Sequence, residues 1–369
     1  RVCIDIQSAI AQRAGVGRYT KMLVEHLGIH RGPDEVSLFY FDFQRRGVPF
    51  PVIGATQNAV RWVPGRLVQK GWKTIQWPPF DFFSGPADVF HFPNFIRPPL
   101  TSGKSVVTIH DVAFLRYPET IEAGNYQYLT SQIRNTVERA DAIITVSQFT
   151  AREVAELLDV PHRKLFPIAS GVDQDIRRPG RDALALMRRE LNVERPYLLT
   201  VGTLEPRKNI GFLLDVFERL KGFDGDLVIA GMRGWKYEPV LERIASSPHR
   251  DRIRYVEYVD ERLLGPLYAA AELFVFPSLY EGFGFTPLEA MQNETPVVCS
   301  AAGSLPEVLG DAAVIVNDWD ADAWAEAVGT MLTDAAKRRI CIDRGLQRAR
   351  QFTWAATAEK TWQVYRGLS

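Results

Sequence analysis

Short apolar runs rich in β-branched residues alternate along the chain with stretches whose apolar residues recur at helical spacing. Such runs, separated by helices, predict parallel strands that are covered on both faces of a sheet. The predicted strands are, in the first half, Val2–Ile6, Val36–Phe41, Val89–Phe90, Val106–Ile109 and Ile143–Val146, and in the second half Tyr197–Val201, Leu227–Ala230, Ile253–Val256, Leu273–Phe276, Pro296–Cys299 and Ala313–Val316. Two such sets predict two doubly wound α/β domains.

The boundary between the two domains is expected in the polar stretch 170–180, where glycine and proline separate a strand-like segment from a predicted helix. We therefore predict a first domain over residues 1–172 and a second over residues 173–353. Ligands of doubly wound domains lie at the carboxyl ends of the strands. A site is thus expected in the loops after the strands, in a cleft between two facing domains.

Length and composition agree with two ordinary globular domains. At 369 residues the chain is too long for one hydrophobic core, and its 46% hydrophobic and 24% charged residues are typical of a soluble protein. It contains no run of eighteen apolar residues, opens on a strand-like segment without signal-peptide architecture, and has three cysteines without metal or redox spacing. We therefore expect a cytoplasmic protein.

The net charge is zero, but it is unevenly distributed. Residues 1–172 contain 19 Lys and Arg against 15 Asp and Glu, a net charge of +4, and the other 197 residues contain 25 against 29, a net charge of −4. A nucleic-acid-binding domain is usually far more basic, so the composition argues against that class. A mild basic bias suits phosphates or an anionic membrane surface better.

Two adjacent cations, Arg207 and Lys208, follow the strand that is predicted to end at Val201, and a helix comes next. Positive charges at the N-terminus of a helix are repelled by its dipole unless an anion lies between them. Arginine offers a planar fork and lysine a point charge, the usual division of roles around a diphosphate. In isolation, however, such a pair is more often solvated than bound to a ligand.

Gly15 and Gly17 follow the loop of the first strand and open a helix. Two glycines let the backbone approach a phosphate closely and donate N–H groups to it, although a tight turn that packs a helix on a sheet explains them equally well. As a dinucleotide fingerprint the motif is incomplete, because Thr20 stands where the third glycine belongs. This argues against a nicotinamide-dependent dehydrogenase.

His110 follows the predicted strand Val106–Ile109 and is expected at the carboxyl edge of the sheet, facing the cleft. The alternative is a structural histidine that is satisfied by its neighbour Asp111.

The stretch 278–291, SLYEGFGFTPLEAM, contains two carboxylates, Glu281 and Glu289. Thr286, Pro287 and Glu289 match a capping box with proline at the first helical position, so Glu289 has a purely structural explanation. Glu281 has none. Beside Gly282 and Gly284, whose N–H groups are donors, its carboxylate makes a patch that suits polyol hydroxyls, with Glu289 placed to take a ribose one turn deeper.

Together, in this order and each in the loop after a predicted strand, these motifs resemble a retaining glycosyltransferase of family 4, which has the two-domain GT-B fold. The matching positions are Gly15-Val16-Gly17, Ile109-His110-Asp111, Gly202-Thr203-Leu204-Glu205-Pro206-Arg207-Lys208-Asn209 and the E-x7-E pattern from Glu281 to Glu289. The resemblance covers nearly the whole chain. It implies that a final helix, about residues 354–369, packs on the first domain.

The resemblance also implies roles for individual residues. Arg207 and Lys208 would bind the diphosphate of a nucleotide-sugar donor, and His110 would contact the transferred sugar from the amino-terminal side. The implied catalytic residues are His110, Glu281, Arg207 and Lys208, and the implied donor-binding residues are Gly15, Gly17, Arg207, Lys208, Glu281, Gly282, Phe283, Gly284, Phe285 and Glu289.

The chemistry of transfer agrees with these roles. Breaking a sugar–diphosphate bond leaves negative charge on the phosphate, and fixed cations stabilise that charge as it develops. No carboxylate is clearly placed for double displacement, so the resemblance favours departure and attack on one face of the sugar, with the leaving phosphate accepting the proton of the acceptor.

We expect no cofactor and no metal requirement. Asp-x-Asp triplets do occur, but in hydrophilic loops, where solvated turn residues are the expectation. These triplets are Asp173/Asp175, Asp224/Asp226, Asp318/Asp320 and Asp320/Asp322.

The segments around His110 and Arg207 look most similar to bacterial mannosyltransferases that build surface polysaccharides from GDP-mannose on glycan or lipid-linked glycan acceptors. Spacing alone does not distinguish guanine from uracil, or mannose from other hexoses, so a UDP-sugar or TDP-sugar donor stays open. A sugar-nucleotide epimerase or hydrolase of the same fold is a second alternative. A non-catalytic sugar-nucleotide-binding subunit is a third, although such proteins tend to lose the site residues that are all present here.

Residues 61–80, RWVPGRLVQKGWKTIQWPPF, contain four basic residues, three tryptophans and no acid. Basic residues interleaved with tryptophan suit peripheral contact with an anionic membrane, on the inner face of the cytoplasmic membrane if the protein is cytoplasmic. A partly buried segment whose aromatic side chains pack on the sheet explains the pattern equally well.

Overall fold

The structure of the protein is a computed structural model that describes residues 1–11, 15–47, 50–174 and 178–368. The chain divides into two compact units. Unit 1 consists of Arg1–Arg116, Ala123–Gly171 and the chain from Thr353 onward, and unit 2 consists of Tyr117–Glu122 and Val172–Phe352. Asp175, Ile176 and Arg177, which belong to the predicted boundary and to one Asp-x-Asp triplet, lie outside the described residues.

Unit 1 is built on a parallel sheet. Its strands are β1 (Val2–Asp5), β2 (Val36–Phe41), β3 (Ala55–Val60), β4 (Val89–Phe92), β5 (Lys104–Ile109), β6 (Ala142–Thr145) and β7 (Leu165–Pro167). Over the described residues these seven strands lie in the order β3-β2-β1-β4-β5-β6-β7. Val2 of β1 pairs with Val36 of β2 on one side and with Val89 of β4 on the other. Strands β2 and β4 are buried along their whole length, as expected where helices cover both faces of a sheet.

The helices of unit 1 include the last one of the chain. They are α1 (Gln7–Ala11), α2 (Val16–Ile29), α3 (Gly65–Thr74), α4 (Phe80–Ser84), α5 (Ala113–Arg116), α6 (Ala123–Arg139), α7 (Gln148–Leu158) and α16 (Trp354–Arg366), with a 3₁₀ turn at His162–Lys164. Helix α16 packs against α2, where the Trp362 Nε1 donates to the carbonyl of Leu27 at 3.2 Å. The Thr357 hydroxyl donates to the carbonyl of Ala169 at 2.8 Å.

Unit 2 contains a second parallel sheet. Its strands are β8 (Tyr197–Val201), β9 (Asp226–Ala230), β10 (Ile253–Val256), β11 (Leu273–Phe276), β12 (Val297–Ser300) and β13 (Val314–Val316). Across the part of the unit that the structure describes, the six strands lie in the order β10-β9-β8-β11-β12-β13. Both sheets reverse their strand order near the first strand, which confirms the predicted doubly wound α/β class.

The helices of unit 2 cover both faces of its sheet. They are α8 (Arg181–Leu191), α9 (Ile210–Arg219), α10 (Glu238–Ser246), α11 (Glu261–Ala269), α12 (Phe285–Gln292), α13 (Leu305–Leu309), α14 (Ala321–Thr333) and α15 (Ala335–Ala349), with 3₁₀ turns at Pro118–Thr120, Pro206–Lys208, Arg250–Arg252 and Gly310–Ala312. On one face, Leu213 and Val216 of α9 and Trp324 of α14 are buried against strand residues such as Leu227 and Val275.

The predicted strands all exist, with small errors at their ends. The strand predicted at Val89–Phe90 continues to Phe92, and that predicted at Pro296–Cys299 is shifted by one residue. Strand β7 lies at the strand-like segment predicted before the domain boundary, at Phe166–Ala169. The prediction omits β3, whose sequence is ATQNAV and of which only Val60 is buried. An edge strand has one neighbour and is largely solvated, so it lacks the continuous apolar run by which the buried strands are recognised.

Within the described part of the chain, no helix combines the length and the apolar character that are needed to cross a bilayer.

Candidate functional site

Arg207 and Lys208 lie in unit 2, in a 3₁₀ turn between β8 and α9. Pro206 begins the turn, and Asn209 ends it in the left-handed conformation at φ 54° before α9 starts. Both cationic side chains are largely buried, each 14% exposed. Because burying two adjacent charges is costly unless they are paired, this position requires nearby negative groups.

Two carboxylates supply that negative charge. The Lys208 Nζ donates to the Oε1 of Glu281 at 2.6 Å, and the Arg207 Nη1 lies 3.2 Å from its Oε2. On the other side, the Arg207 Nη2 donates to the Oε1 of Glu205 at 2.6 Å. We name Glu205, Arg207, Lys208 and Glu281 the ion quartet. Its two positive and two negative charges balance.

Glu281 is ionised in this environment. Its burial would raise the pKa of the carboxyl, but Lys208 and Arg207, with hydrogen bonds from Lys208 and the Ser278 hydroxyl, lower it to about 2. The sequence predicted Glu281 as a ligand for sugar hydroxyls; in the structure its carboxylate contacts the cation pair, together with Ser278. An approaching diphosphate would therefore compete with Glu281 for the same donors.

The loop that carries Glu281 is tied to two neighbouring loops. The backbone N–H of Leu279 donates to the carbonyl of Arg207 at 2.8 Å, and the N–H of Ser304 donates to the carbonyl of Glu281 at 2.9 Å. Gly303 lies against the same backbone, so closely that a Cβ there would be 2.2 Å from the Glu281 oxygen. The position of Glu281 thus depends on the loops after β8, β11 and β12 together.

Glu289 is not the end of a capping box, and the prediction that Thr286 caps the helix is wrong. Helix α12 begins at Phe285, after Gly284 at φ 111°, and has no side-chain cap. Glu289 is buried deeper in the helix, and its Oε2 accepts a 2.9 Å hydrogen bond from the buried Tyr268 hydroxyl of α11. The carboxylate is therefore not part of the predicted capping box, and it stays a candidate ligand-binding group.

The aromatic and glycine residues between the two acids form the first turn of α12 and the loop before it. The rings of Phe283 and Phe285 pack at a centroid distance of 5.1 Å, and the Phe283 carbonyl accepts from the Ser304 hydroxyl at 2.8 Å. A Cβ on Gly284 would lie 2.8 Å from a side-chain carbon of Leu305. Gly282 lies between Glu281 and Phe283 in the same buried loop.

His110 lies in unit 1, directly after β5. Its Nε2 is 2.8 Å from the carbonyl of Pro93, which can only accept, so Nε2 carries the proton. Burial lowers the pKa of His110, against the opposing effects of the Pro93 carbonyl and the charge of Asp111, so the ring is neutral near neutral pH. Asp111, which the sequence offered as a structural partner of His110, accepts from the N–H of Ala113 through its Oδ1.

The Gly15–Gly17 turn lies in the same unit, and Tyr19 links it to His110. Gly15 has φ 57° and precedes α2, whose first turn contains the buried Gly17. One turn further, the ring of Tyr19 packs edge-on against His110 at a centroid distance of 4.7 Å. Unit 1 thus brings together the glycines and the histidine, while unit 2 brings together the cations and both acids.

Over residues 1–11, 15–47, 50–174 and 178–368, no cluster of three or more His, Cys, Asp or Glu side chains could hold a metal ion. Asp318 and Asp320 accept backbone N–H groups two residues further on, as turn residues do. The same expectation for Asp226 is wrong, because this residue begins β9, is buried and lies 3.4 Å from the Arg254 Nε.

Two candidate functional residues, Glu205 and Tyr268, were not predicted from the sequence. Glu205 is part of the quoted motif but received no role, although its place two residues before Arg207 could have suggested a pairing. Tyr268 carries no local signal, since it is 21 residues from Glu289 along the chain.

Two parallel α/β units, one of which presents a buried cation pair beside two acids at the carboxyl ends of its strands, define a glycosyltransferase of the GT-B class. Two family models match the chain. The model of "Glycosyltransferase Family 4" matches residues 13–176, and that of "Glycosyl transferases group 1" matches residues 186–348. The O-antigen chain mannosyltransferase B of Escherichia coli is 31% identical over 96% of this chain and 96% of its own length. The chain belongs to glycosyltransferase family 4, and it is a hexosyltransferase.

Solved structures share the fold over the full chain. Sucrose-phosphate synthase from Thermosynechococcus elongatus has a TM-score of 0.78 at 20% identity and covers 100% of this chain with 98% of its own. WaaG, a glycosyltransferase involved in lipopolysaccharide biosynthesis, has a TM-score of 0.73 at 15% identity, with complete coverage of both chains. These similarities confirm the predicted GT-B fold.

Proposed function

We propose that the protein transfers mannose from GDP-mannose, with retention of anomeric configuration, to a glycan or lipid-linked glycan in the synthesis of a surface polysaccharide such as an O-antigen. The observation that carries the proposal is the ion quartet, in which Arg207 and Lys208 are held side by side and paired with Glu281. The similarity to an O-antigen mannosyltransferase over 96% of both chains supports the choice of sugar and acceptor.

The cation pair would receive the leaving diphosphate. As the bond between the anomeric carbon and the phosphate oxygen breaks, negative charge grows on the phosphate, and preorganised cations stabilise it without rearranging at that moment. The acceptor hydroxyl oxygen would then bond to the anomeric carbon on the same face, and its proton would pass to the departing phosphate oxygen. Atoms and charges balance without a covalent enzyme intermediate.

The acids would hold the two sugars of the donor. Glu289 would bind the ribose hydroxyls, with Tyr268 fixing its carboxylate at 2.9 Å. Glu281 would bind hydroxyls of the transferred sugar once the diphosphate has taken its place at Lys208, with backbone groups of Gly282, Phe283, Gly284 and Phe285 beside it.

In unit 1, two further groups are proposed to contact the donor. Gly15 and Gly17 would donate backbone N–H groups to the phosphates. His110 would contact the sugar as a neutral ring, since its Nε2 proton is engaged by Pro93 and its Nδ1 is left as an acceptor for a sugar hydroxyl.

We further propose that transfer needs no metal, because Arg207 and Lys208 supply the positive charge that a divalent cation supplies elsewhere. Transfer measured with EDTA should equal transfer measured with manganese. Loss of activity with the chelator and its return with manganese would contradict this part of the proposal.

The donor is tested by ligand stabilisation followed by transfer. We expect GDP to raise the thermal unfolding temperature more than UDP, TDP or NAD, because a bound ligand stabilises the folded state by mass action. We then expect mannose transfer from GDP-mannose to a lipid-linked glycan, with the anomeric configuration of the product checked by NMR. Stabilisation by UDP or TDP alone would mean that the donor is a UDP-sugar or a TDP-sugar and not GDP-mannose. Turnover of the donor without an acceptor product would indicate an epimerase or a hydrolase.

We also propose that residues 61–80 contact an anionic membrane from the cytoplasmic side. Trp62 and Trp77 are each 64% exposed, and Leu67 and Ile75 are exposed near them. Trp72, by contrast, is buried on Phe41, so the segment is anchored to unit 1 by one tryptophan and exposes two. The four basic residues of this segment each add about 1 kcal/mol of attraction to an anionic surface.

Flotation with phosphatidylglycerol vesicles tests the membrane contact. The double variant Trp62→Ala/Trp77→Ala should lose binding, whereas Trp319→Ala, which removes an exposed tryptophan of unit 2, should bind like wild type. Absence of wild-type binding at low salt would end this part of the proposal.

A further inference from the structure

We propose that Glu205 is a positioning residue for transfer, because its buried carboxylate holds the Arg207 guanidinium in the orientation that receives the leaving diphosphate. The inference rests on the proposed function of Arg207 as a diphosphate ligand, and it adds a residue for which neither the motif pattern nor the relatives provide a role.

The guanidinium of Arg207 is fixed from two directions. Its Nη2 donates to the Glu205 carboxylate at 2.6 Å, and its Nη1 donates to the carbonyl of Tyr280 at 2.6 Å. A guanidinium is planar and rigid, so two anchored nitrogens determine the direction of its remaining N–H groups. Glu205 is only 4% exposed, and its contact with Arg207 is therefore screened little by water.

The backbone that carries Glu205 is itself held tightly. The N–H of Leu204 donates to the carbonyl of Met232 at 2.9 Å, and the N–H of Gly234 donates to the carbonyl of Leu204 at 3.0 Å. The two loops approach so closely that a Cβ on Gly231 would lie 1.9 Å from the Gly202 oxygen. Hydrogen bonds to the neighbouring loop thus hold the backbone of Glu205 in place. A residue that positions another side chain needs such support.

The two carboxylates of the ion quartet differ in what a donor would do to them. A diphosphate that binds the Lys208 ammonium competes for it with Glu281, which accepts from it at 2.6 Å. Glu205 contacts Arg207 on the opposite side of the guanidinium, through the other terminal nitrogen. Once the donor is bound, Glu205 is the carboxylate that keeps its contact with Arg207.

Removal of the Glu205 charge therefore has two opposed effects. The ion quartet gains one net positive charge, which attracts a diphosphate more strongly. Arg207 loses its orientation, however, and an interaction that must be geometrically correct in the transition state is weakened. Loss of transition-state stabilisation with retained ground-state binding lowers kcat without raising KM.

The test compares Glu205→Gln with Glu218→Gln. Glu218 is also partly buried, and it binds Arg243 through both oxygens at 2.6 and 2.7 Å, but it lies on α9 outside the ion quartet. Transfer is measured with the donor that wild type uses, and binding by calorimetry with GDP, UDP or TDP, whichever wild type binds.

For Glu205→Gln we expect kcat to fall about tenfold or more, which corresponds to about 1.4 kcal/mol. We expect its dissociation constant for the nucleoside diphosphate to be equal to or lower than that of wild type, with a steeper dependence on salt. Glu218→Gln should lower the unfolding temperature and leave kcat and the dissociation constant unchanged. If Glu205→Gln does not fold, Glu205→Asp keeps the charge but shortens the reach, and should lower kcat while binding nucleotide normally.

Wild-type kcat in the folded Glu205 variants would overturn the inference, and so would weaker nucleotide binding with unchanged kcat, since that result would make Glu205 a direct ligand. If wild type itself binds no nucleoside diphosphate and transfers no sugar, the proposed function fails instead. The two failures are therefore distinguishable.

Discussion

The position of Glu281 depends on Gly303, and replacing this glycine by alanine tests how tightly transfer depends on that position. Gly303 lies in the loop after β12 with φ +64°, and it faces the backbone of Glu281. A Cβ at residue 303 would be 2.2 Å from the carbonyl oxygen of Glu281 and 2.7 Å from its nitrogen. Both are backbone atoms, so no side-chain rotation can relieve the contact.

The magnitude follows from these distances. Ordinary contact of a Cβ begins at 3.4 Å, so the two loops must separate by about 1.2 Å. A misplacement of about 1 Å at a reacting site costs about a hundredfold in rate. The left-handed conformation adds about 1–2 kcal/mol for any residue with a Cβ. We therefore expect Gly303→Ala to lose about a hundredfold in kcat/KM and more than about 1 kcal/mol of stability.

Gly310→Ala is the matched control. Gly310 also belongs to unit 2 and has φ +56°, but a Cβ there meets nothing within 4 Å. This variant also places a Cβ on a residue with positive φ, but without displacing Glu281. Sugar transfer and thermal unfolding are measured for both variants, with transfer normalised to the folded fraction by circular dichroism. If the two variants are equally active, the claim that the position of the Glu281 backbone controls transfer is wrong.

Three further predictions concern charge. Arg207→Ala and Lys208→Ala should each fold and lose about a hundredfold in transfer rate, since one preorganised group at a developing charge contributes about 3 kcal/mol; turnover near that of wild type would contradict the phosphate role. Burial would raise the pKa of Glu281, but Lys208 and Arg207 lower it to about 2, so the stability that this ionised group provides is complete above its ordinary value of 4.5 and is lost as the pH falls toward 2. Thermal unfolding should therefore show a shallower decline over this acid range for Glu281→Gln than for wild type, and parallel curves would refute it. Burial raises the pKa of Asp5 to about 6, although the N–H of Gln7 opposes the shift, so the folded state retains the Asp5 proton and loses stability as the pH rises from the ordinary value of 3.8 through 6. Asp5→Asn should thus stabilise the protein by on the order of 2 kcal/mol near neutral pH and by less near pH 4, and an equal effect at both pH values would contradict this shift.

The hydrophobic pattern predicted the buried strands but not the largely exposed strand β3. Strands such as β2 and β11 are buried throughout and almost entirely apolar because helices cover both faces, and this local property is visible in the sequence. Strand β3 lies at the edge, and its pairing with β2 is decided by the position of β2 and not by its own polar residues. The capping-box prediction at Thr286 failed for a related reason, because Gly284 allowed α12 to begin at Phe285, two residues before the predicted first helical residue Pro287.

The candidate residues were found by their motifs, but their partners were not. Arg207, Lys208, Glu281 and Glu289 were each selected from the loop after a strand, where doubly wound domains bind ligands. That Lys208 contacts Glu281, 73 residues away, could not be predicted from the sequence. The same holds for the hydrogen bond between Tyr268 and Glu289.

The sequence by itself determined the class of fold, the family and the loops that carry the chemistry. Hydrophobic periodicity and short motifs are local properties, so they can be recognised in the sequence without knowing how the chain packs. Only the tertiary structure decided which charges face each other. It showed that two buried acids, Glu205 and Glu281, neutralise the cation pair, and that Gly303 sets the backbone position of one of them. A hydrogen bond depends on the separation of two atoms to within a few tenths of an ångström, and that separation is set by how distant loops pack.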